Sequence, residues 1–160
     1  MAPFRPRKEK LPKRFQNDLP RSATAPALPA MKSKPQLLCW LTCDGVHLDP
    51  ATGKPTILGV FSNINALRFP VSHPQLVWFL SLTDCAAGEH MLKISFGLEG
   101  SAPKPVIERS FESPGPTQQI NLINEIRGLT FPMPGSYAIV VEVNDELLVT
   151  TDLTVGAARG

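Results

Sequence analysis

No stretch of this sequence carries the 3.6-residue apolar period of a useful amphipathic helix, and no window approaches the roughly 18 apolar residues of a membrane-spanning helix. The first residues lack the apolar segment of a secretory signal, so the expected setting is a reducing cytoplasm. Cysteine is scarce: Cys39, Cys43 and Cys85 are odd in number and form no Cys-x-x-Cys pair. That argues against a zinc ribbon and a disulfide framework. No Gly-x-Ser-x-Gly turn is present, and Thr52-Gly53-Lys54 lacks the preceding glycine spacing and following helix of a phosphate loop.

Proline and glycine are plentiful instead, at 17 and 11 residues against a single tyrosine. This balance suits many short strands joined by turns. With 42% hydrophobic and 19% charged residues, the 160-residue chain has enough apolar sequence for one core, hence one domain with an appendage. Charge is unevenly placed. Residues 1–35 hold nine Lys/Arg, two acids and seven prolines, a balance of +7 that leaves −5 for the remainder. They have no period of 2 or 3.6 and read as a disordered basic tail. Such a tail could hold nucleic acid only electrostatically, and without interleaved aromatics that is a weak expectation. Met31, just before the first apolar run, is a candidate natural start.

From residue 36 the pattern is that of strands. Leu37, Cys39 and Leu41 alternate with Leu38 and Trp40, which predicts a central strand covered on both faces and continuing through Val46 and Leu48. Asp49 to Lys54 reads as a hairpin loop, with Gly53 free to adopt positive φ, and Ile57 to Phe61 as a buried return strand. Gln75 to Leu82 is the most apolar run and the predicted core strand. Leu92, Ile94, Phe96 and Leu98 share one face of a half-exposed strand. Val106 to Glu112 has edge character, with Arg109 between Ile107 and Phe111 on one face. Gln119 to Asn124 alternates, and Phe131-Pro132-Met133-Pro134-Gly135 leads to a final hairpin.

That hairpin poses a register question. A simple two-residue Asn144-Asp145 turn would put its two apolar rows on opposite faces. The expectation is a three-residue loop, Asn144 to Glu146, or a β-bulge near Thr150. Either sets Val143, Val141 and Ile139 opposite Leu147, Val149 and Thr151. Residues 156–160 read as a frayed end. About eight strands predict an all-β fold over residues 36–155, a two-sheet antiparallel β-sandwich of immunoglobulin-like or C2-like type, with an open barrel as the alternative.

The polar candidates gather in Leu41 to Phe61. Alternation places Cys43 and His47 on one strand face, roughly 13 Å apart, too far for shared ligation unless Gly45 bends the strand. Cys43, Asp44 and His47 would form an enzyme site only with that bend. Asp44, Asp49 and Asp84 could gather to hold calcium, though calcium wants six to eight oxygens and Asp49 also fits a turn cap. His73 and His90 read as surface or turn-packing residues. Trp40, Trp78 and Phe79 read as core, and Tyr137 as a corner anchor whose hydroxyl meets backbone.

The combination Leu41-x-Cys43-Asp44-x-Val46-x-x-Asp49-x-x-Thr52-Gly53-Lys54-x-x-x-Leu58-Gly59-Val60-Phe61, with Phe69-Pro70, His73-Pro74 and Phe131-x-x-Pro134-Gly135-x-Tyr137, resembles a family of small uncharacterised bacterial proteins. The resemblance covers Gln36 to about Val155 and implies a compact β-sandwich. It also implies a start just before the first strand, in keeping with Met31. No activity is assigned to that family, so it implies no catalytic residue; Trp40, Cys85 and the tail depart from its pattern. The expected function is therefore a non-enzymatic module presenting loops or a sheet edge to a protein partner, without cofactor or metal. Asp44, His47, Asp49, Thr52 and Lys54 are the candidate partner-binding loop. A calcium- or small-molecule-binding sandwich is the first alternative.

Overall fold

The computed structural model describes residues 33–159, and the predicted basic tail through Lys32 lies outside them. Among the described residues there are nine strands: β1 Gln36–Leu48, β2 Pro55–Val60, β3 Asn63–Ala66, β4 Val71–Thr83, β5 Gly88–Leu98, β6 Lys104–Ser113, β7 Ile120–Phe131, β8 Gly135–Val143 and β9 Glu146–Ala157. They form a four-stranded sheet in the order β2-β1-β4-β7 and a five-stranded sheet in the order β3-β9-β8-β5-β6. The all-β sandwich read from the sequence is the observed architecture. Among the described residues no helix is long and apolar enough to cross a membrane.

The alternation of each strand decides which side chains enter the space between the sheets. Leu76, Trp78, Leu80 and Leu82 of β4 meet Leu92, Ile94 and Phe96 of β5 and Ile139 and Val141 of β8 in one continuous core. Burying each such side chain contributes about 1.5–3 kcal/mol, so this layer holds the two sheets together. Phe96 stacks on Tyr137 at 5.3 Å, and Phe131 meets Tyr137 edge-on at 5.1 Å. The Tyr137 hydroxyl donates to the Met133 carbonyl at 2.6 Å, the backbone anchor expected of it. β4 is the core strand, buried at every residue from Leu76 to Leu82.

The crossing from β2 to β3 was not visible in the residue pattern. The chain changes sheets at Phe61-Ser62. The Phe61 amide donates to Thr42 of β1 at 3.0 Å, and the Ser62 carbonyl accepts from Thr154 of β9 at 3.1 Å. β3 then pairs with β9 in parallel, which adds a ninth strand and one parallel ladder to an otherwise antiparallel sandwich. That ladder runs to Ala66 and Ala157, so Gly156 and Ala157 belong to β9 rather than to a frayed end.

Two readings of the first hairpin are corrected. β1 pairs with β4 from Gln36 to Cys43 and with β2 from Cys43 to Leu48, so its two ladders overlap only at Cys43, and Leu38 is exposed. The return strand β2 is an edge strand with Leu58 and Val60 in solvent, not a buried one. Apolar residues on both faces were taken for two-sided cover, yet one of those faces is surface.

The final hairpin solves its register with both a tight turn and a bulge. Asn144 and Asp145 take positive φ of 53° and 63°, the geometry of a two-residue turn whose twist matches the strands. Val143 therefore faces Glu146 and Glu142 faces Leu147. The register then shifts at Leu148, before Thr150, so that Val141 faces Val149 and Ile139 faces Thr151. The last two pairings are those expected; the pairing of Val143 with Leu147 does not form.

Candidate functional site

The Asp49–Lys54 loop is closed on itself. Asp49 Oδ1 accepts from the Ala51 amide at 2.7 Å and the Thr52 amide at 3.4 Å, and the Gly53 amide donates to the Asp49 carbonyl at 2.7 Å. The Asp49 amide donates to the Lys54 carbonyl at 3.0 Å, and the Lys54 amide donates to Thr52 Oγ1 at 3.4 Å. Gly53 holds φ of 68°, where a side chain would be strained. The Ala51 amide, with the Thr52 hydroxyl, keeps the Asp49 carboxyl below the usual carboxylate range. Asp49 thus acts on its own turn.

Asp44 and His47 are exposed on β1. The Asp44 carboxylate occupies the space that a Cβ at Gly59 would need, so Gly59, with φ of 64°, is a position that close approach as well as backbone reserves for glycine. β1 is continuous through Gly45, so the bend that would have brought Cys43 to His47 is absent. Cys43 is fully buried, its thiol directed at the Gly45 carbonyl at 3.5 Å and the Val77 carbonyl at 3.7 Å. Burial pushes this thiol above its ordinary value, against a smaller opposing effect of the Gly45 bond. A buried thiol of raised pKa, without the imidazole, is a poor nucleophile. The Cys43/Asp44/His47 grouping is not assembled.

The calcium grouping is not assembled either. Thr83 pairs with Gln36 at the start of β1, so Asp84 lies at one end of the sheet while Asp44 and Asp49 lie toward the other. The 13 residues of β1 extend roughly 40 Å at the rise of a strand. Among the described residues no three His, Cys, Asp or Glu side chains gather as a metal site.

Two buried polar arrangements were not foreseen as such. Of its two expected readings, surface or turn packing, His90 takes the second and is buried: its Nε2 lies 2.7 Å from the Ala86 carbonyl, its Nδ1 2.8 Å from Asn144 Nδ2, and its ring stacks on Phe111 at 5.4 Å. A carbonyl only accepts, so the tautomer carrying its proton on Nε2 fits both contacts. The signal was available, because His90 shares the inward parity of Leu92 and Ile94. Arg109 donates to Asn124 Oδ1 at 2.9 Å, and Asn124 Nδ2 donates to the Trp78 carbonyl at 3.0 Å. This joins β6 to β7 and closes one flank of the sandwich.

The opposite flank is different. Leu38 and Leu48 of β1, Leu58 and Val60 of β2, Leu67 after β3 and Leu147 of β9 are all exposed, Leu58 at 52% and Val60 at 58%. Val60 lies beside Cys43, and Cys43 beside Val77, in one row across the sheet, of which Val60 is exposed and Cys43 and Val77 are buried. The outer face of the five-stranded sheet carries polar pairs instead, among them Lys93 with Glu142 at 2.9 Å. A recess of about 310 Å³ opens on the apolar flank, lined by Trp40, Leu41, Thr42, Val60, Phe61, Ser62, Thr151 and Asp152.

Fold and surface together define a small two-sheet β-sandwich with one closed polar flank and one open apolar flank. Residues 38–156 match a family of unknown function, DUF6941, and the chain belongs to that family. No curated protein matches it.

Proposed function

We propose that this protein is a non-catalytic β-sandwich module that binds a protein partner through the flank formed by β1, β2 and β9. The observation that carries this reading is the exposure of Leu58 and Val60 on the edge strand β2, beside the recess that Val60 lines. Scattered surface leucines need no explanation, but Leu58 and Val60 stand two residues apart on an edge strand, and Val60 lines an open recess, as the apolar centre of an interaction surface does. The loop residues Asp44, His47, Asp49, Thr52 and Lys54 lie next to this flank and take the role of its polar rim. A cytoplasmic setting is part of the proposal, in keeping with three free cysteines, of which Cys43 and Cys85 are buried.

The test is affinity capture from the native cell with the full chain and with a Leu58→Glu/Val60→Glu double variant. A specific protein retained by the native chain and reduced about ten-fold with the variant, at unchanged circular dichroism, supports the reading. Equal retention by both chains overturns it.

A further inference from the structure

The two edges of the apolar flank are incompletely paired. Among the described residues β2 covers β1 only from Cys43 upward, and β3 covers β9 only from Thr154 upward. Below the Phe61-Ser62 crossing, Gln36 to Thr42 of β1 and Glu146 to Leu153 of β9 have a sheet neighbour on one side only. The Thr42 carbonyl points into the β2 lane, because it accepts from Phe61 there. Backbone direction alternates along a strand, so the amide and carbonyl of Trp40 face the same lane, with no strand beside them among the described residues. By the same parity from Thr154, the amide of Asp152 faces outward from β9.

Edge strands are usually blunted by proline, lysine or a covering element. Gln36 to Thr42 contains no proline and no charge. The core is also open here: Trp40, Phe61 and Leu148 pack against it but are only partly buried. Trp78, whose ring lies 5.9 Å from Trp40, has its buried Nε1 without a hydrogen-bond partner. β6 and β7 on the other flank are edge strands too, but there the Arg109–Asn124 hydrogen bond joins the two sheets.

We propose that the lane below Phe61 is a strand-addition site, in which an extended segment of a partner protein pairs with the free edge of β1 in continuation of β2. Only another polypeptide backbone matches the spacing of donors and acceptors along such an edge. The segment's inward side chain is apolar, to seal the gap beside Trp40 and Phe61. Asp152, whose Oδ2 accepts from Ser136 Oγ at 3.0 Å, is the lone charged residue in the recess lining, so the segment carries a Lys or Arg beside that apolar residue.

This inference rests on the protein-binding reading and specifies its mode. The test uses the full-length, nitrogen-15-labelled chain and a capped heptapeptide of alternating valine and threonine with one lysine. A second peptide is identical but N-methylated at alternate residues. The first peptide is expected to shift the Trp40 and Asp152 amides and to slow exchange at the Trp40 amide about ten-fold. N-methylation abolishes both effects, and the surface substitution Asp152→Lys weakens binding about ten-fold. Equal binding of the methylated peptide, shifts confined to Asp49–Lys54, or no binding overturns the proposal. A Trp40 amide already protected in the free chain also overturns it, in a monomer by assigning the lane to residues 1–32 and in a dimer by assigning it to a second copy. If peptide binding fails while capture still depends on Leu58 and Val60, strand addition falls and the broader reading stands.

Discussion

Arg109 of β6 and Asn124 of β7 belong to opposite sheets, and the 2.9 Å hydrogen bond from Arg109 Nε to Asn124 Oδ1 joins their edges. Asn124 is buried and spends its amide hydrogens on the Trp78 carbonyl, so one side chain satisfies an arginine and a core strand together.

Asn124→Ala leaves the Trp78 carbonyl without its side-chain donor and Arg109 without an acceptor. A loss of about 1–3 kcal/mol is expected from urea unfolding. Arg109→Met keeps most of the aliphatic packing and should lose less, about 0.5–1.5 kcal/mol. An Asn124→Ala protein as stable as the native one would show that the flank is closed by packing alone.

The two residues of the final turn have similar backbone angles and different duties. Asp145 holds positive φ with an exposed side chain whose contact with Lys93 is a long 3.8 Å, so Asp145→Gly should raise stability by up to about 1 kcal/mol. Asn144 also accepts from the Met91 amide at 2.9 Å and donates to His90. Asn144→Gly should therefore lower the unfolding midpoint, by about 1–2 kcal/mol in stability, despite relieving the same strain. Thermal denaturation of the two single variants checks the opposite signs.

Asp49 supplies a pH-dependent contribution. Its folded-state pKa is lowered, chiefly by the Ala51 amide, so the ionised carboxylate stabilises the loop above the ordinary carboxylate value. That contribution is lost as pH falls through the folded value. Asp49→Asn keeps an oxygen acceptor but cannot ionise. The stability advantage of the native chain over Asp49→Asn should be present at neutral pH and vanish in acid, as followed by chemical denaturation at a series of pH values.

The cysteines should separate by reactivity. Cys43 and Cys85 are buried, and burial raises both thiols, while Cys39 is half-buried. A chromogenic disulfide reagent at neutral pH should modify Cys39 in the native chain and reach all three cysteines only in denaturant. Rapid native modification of Cys43 would contradict its placement.

Wherever one face of a strand is apolar and the other polar, the residue pattern was sufficient, as for Leu92, Ile94 and Phe96. Where both faces are apolar it was ambiguous. Gln75 to Leu82 and Gln36 to Cys43 look alike as strings, yet every residue of β4 from Leu76 to Leu82 is buried and Leu38 is exposed. Among the candidate site residues, Asp49 was legible as a turn cap because its partners are two and three residues away. The separation of Cys43 from His47 was legible too, since strand rise alone sets it. The recess was not, because Thr151 and Asp152 reach it from more than a hundred residues beyond Trp40.

The sequence by itself determined the all-β class, the breaks between strands other than that between β2 and β3, the inward rows of the core and the self-contained chemistry of the Asp49 turn, all of which depend on period, φ preference and near neighbours. Tertiary structure alone decided that the chain changes sheets at Phe61-Ser62, that β3 pairs with β9 in parallel, and that Arg109 finds Asn124 while the opposite flank stays open. Those outcomes depend on which distant backbone lies alongside, and a short strand offers its hydrogen bonds equally well to either sheet until the packed core fixes the distance between them.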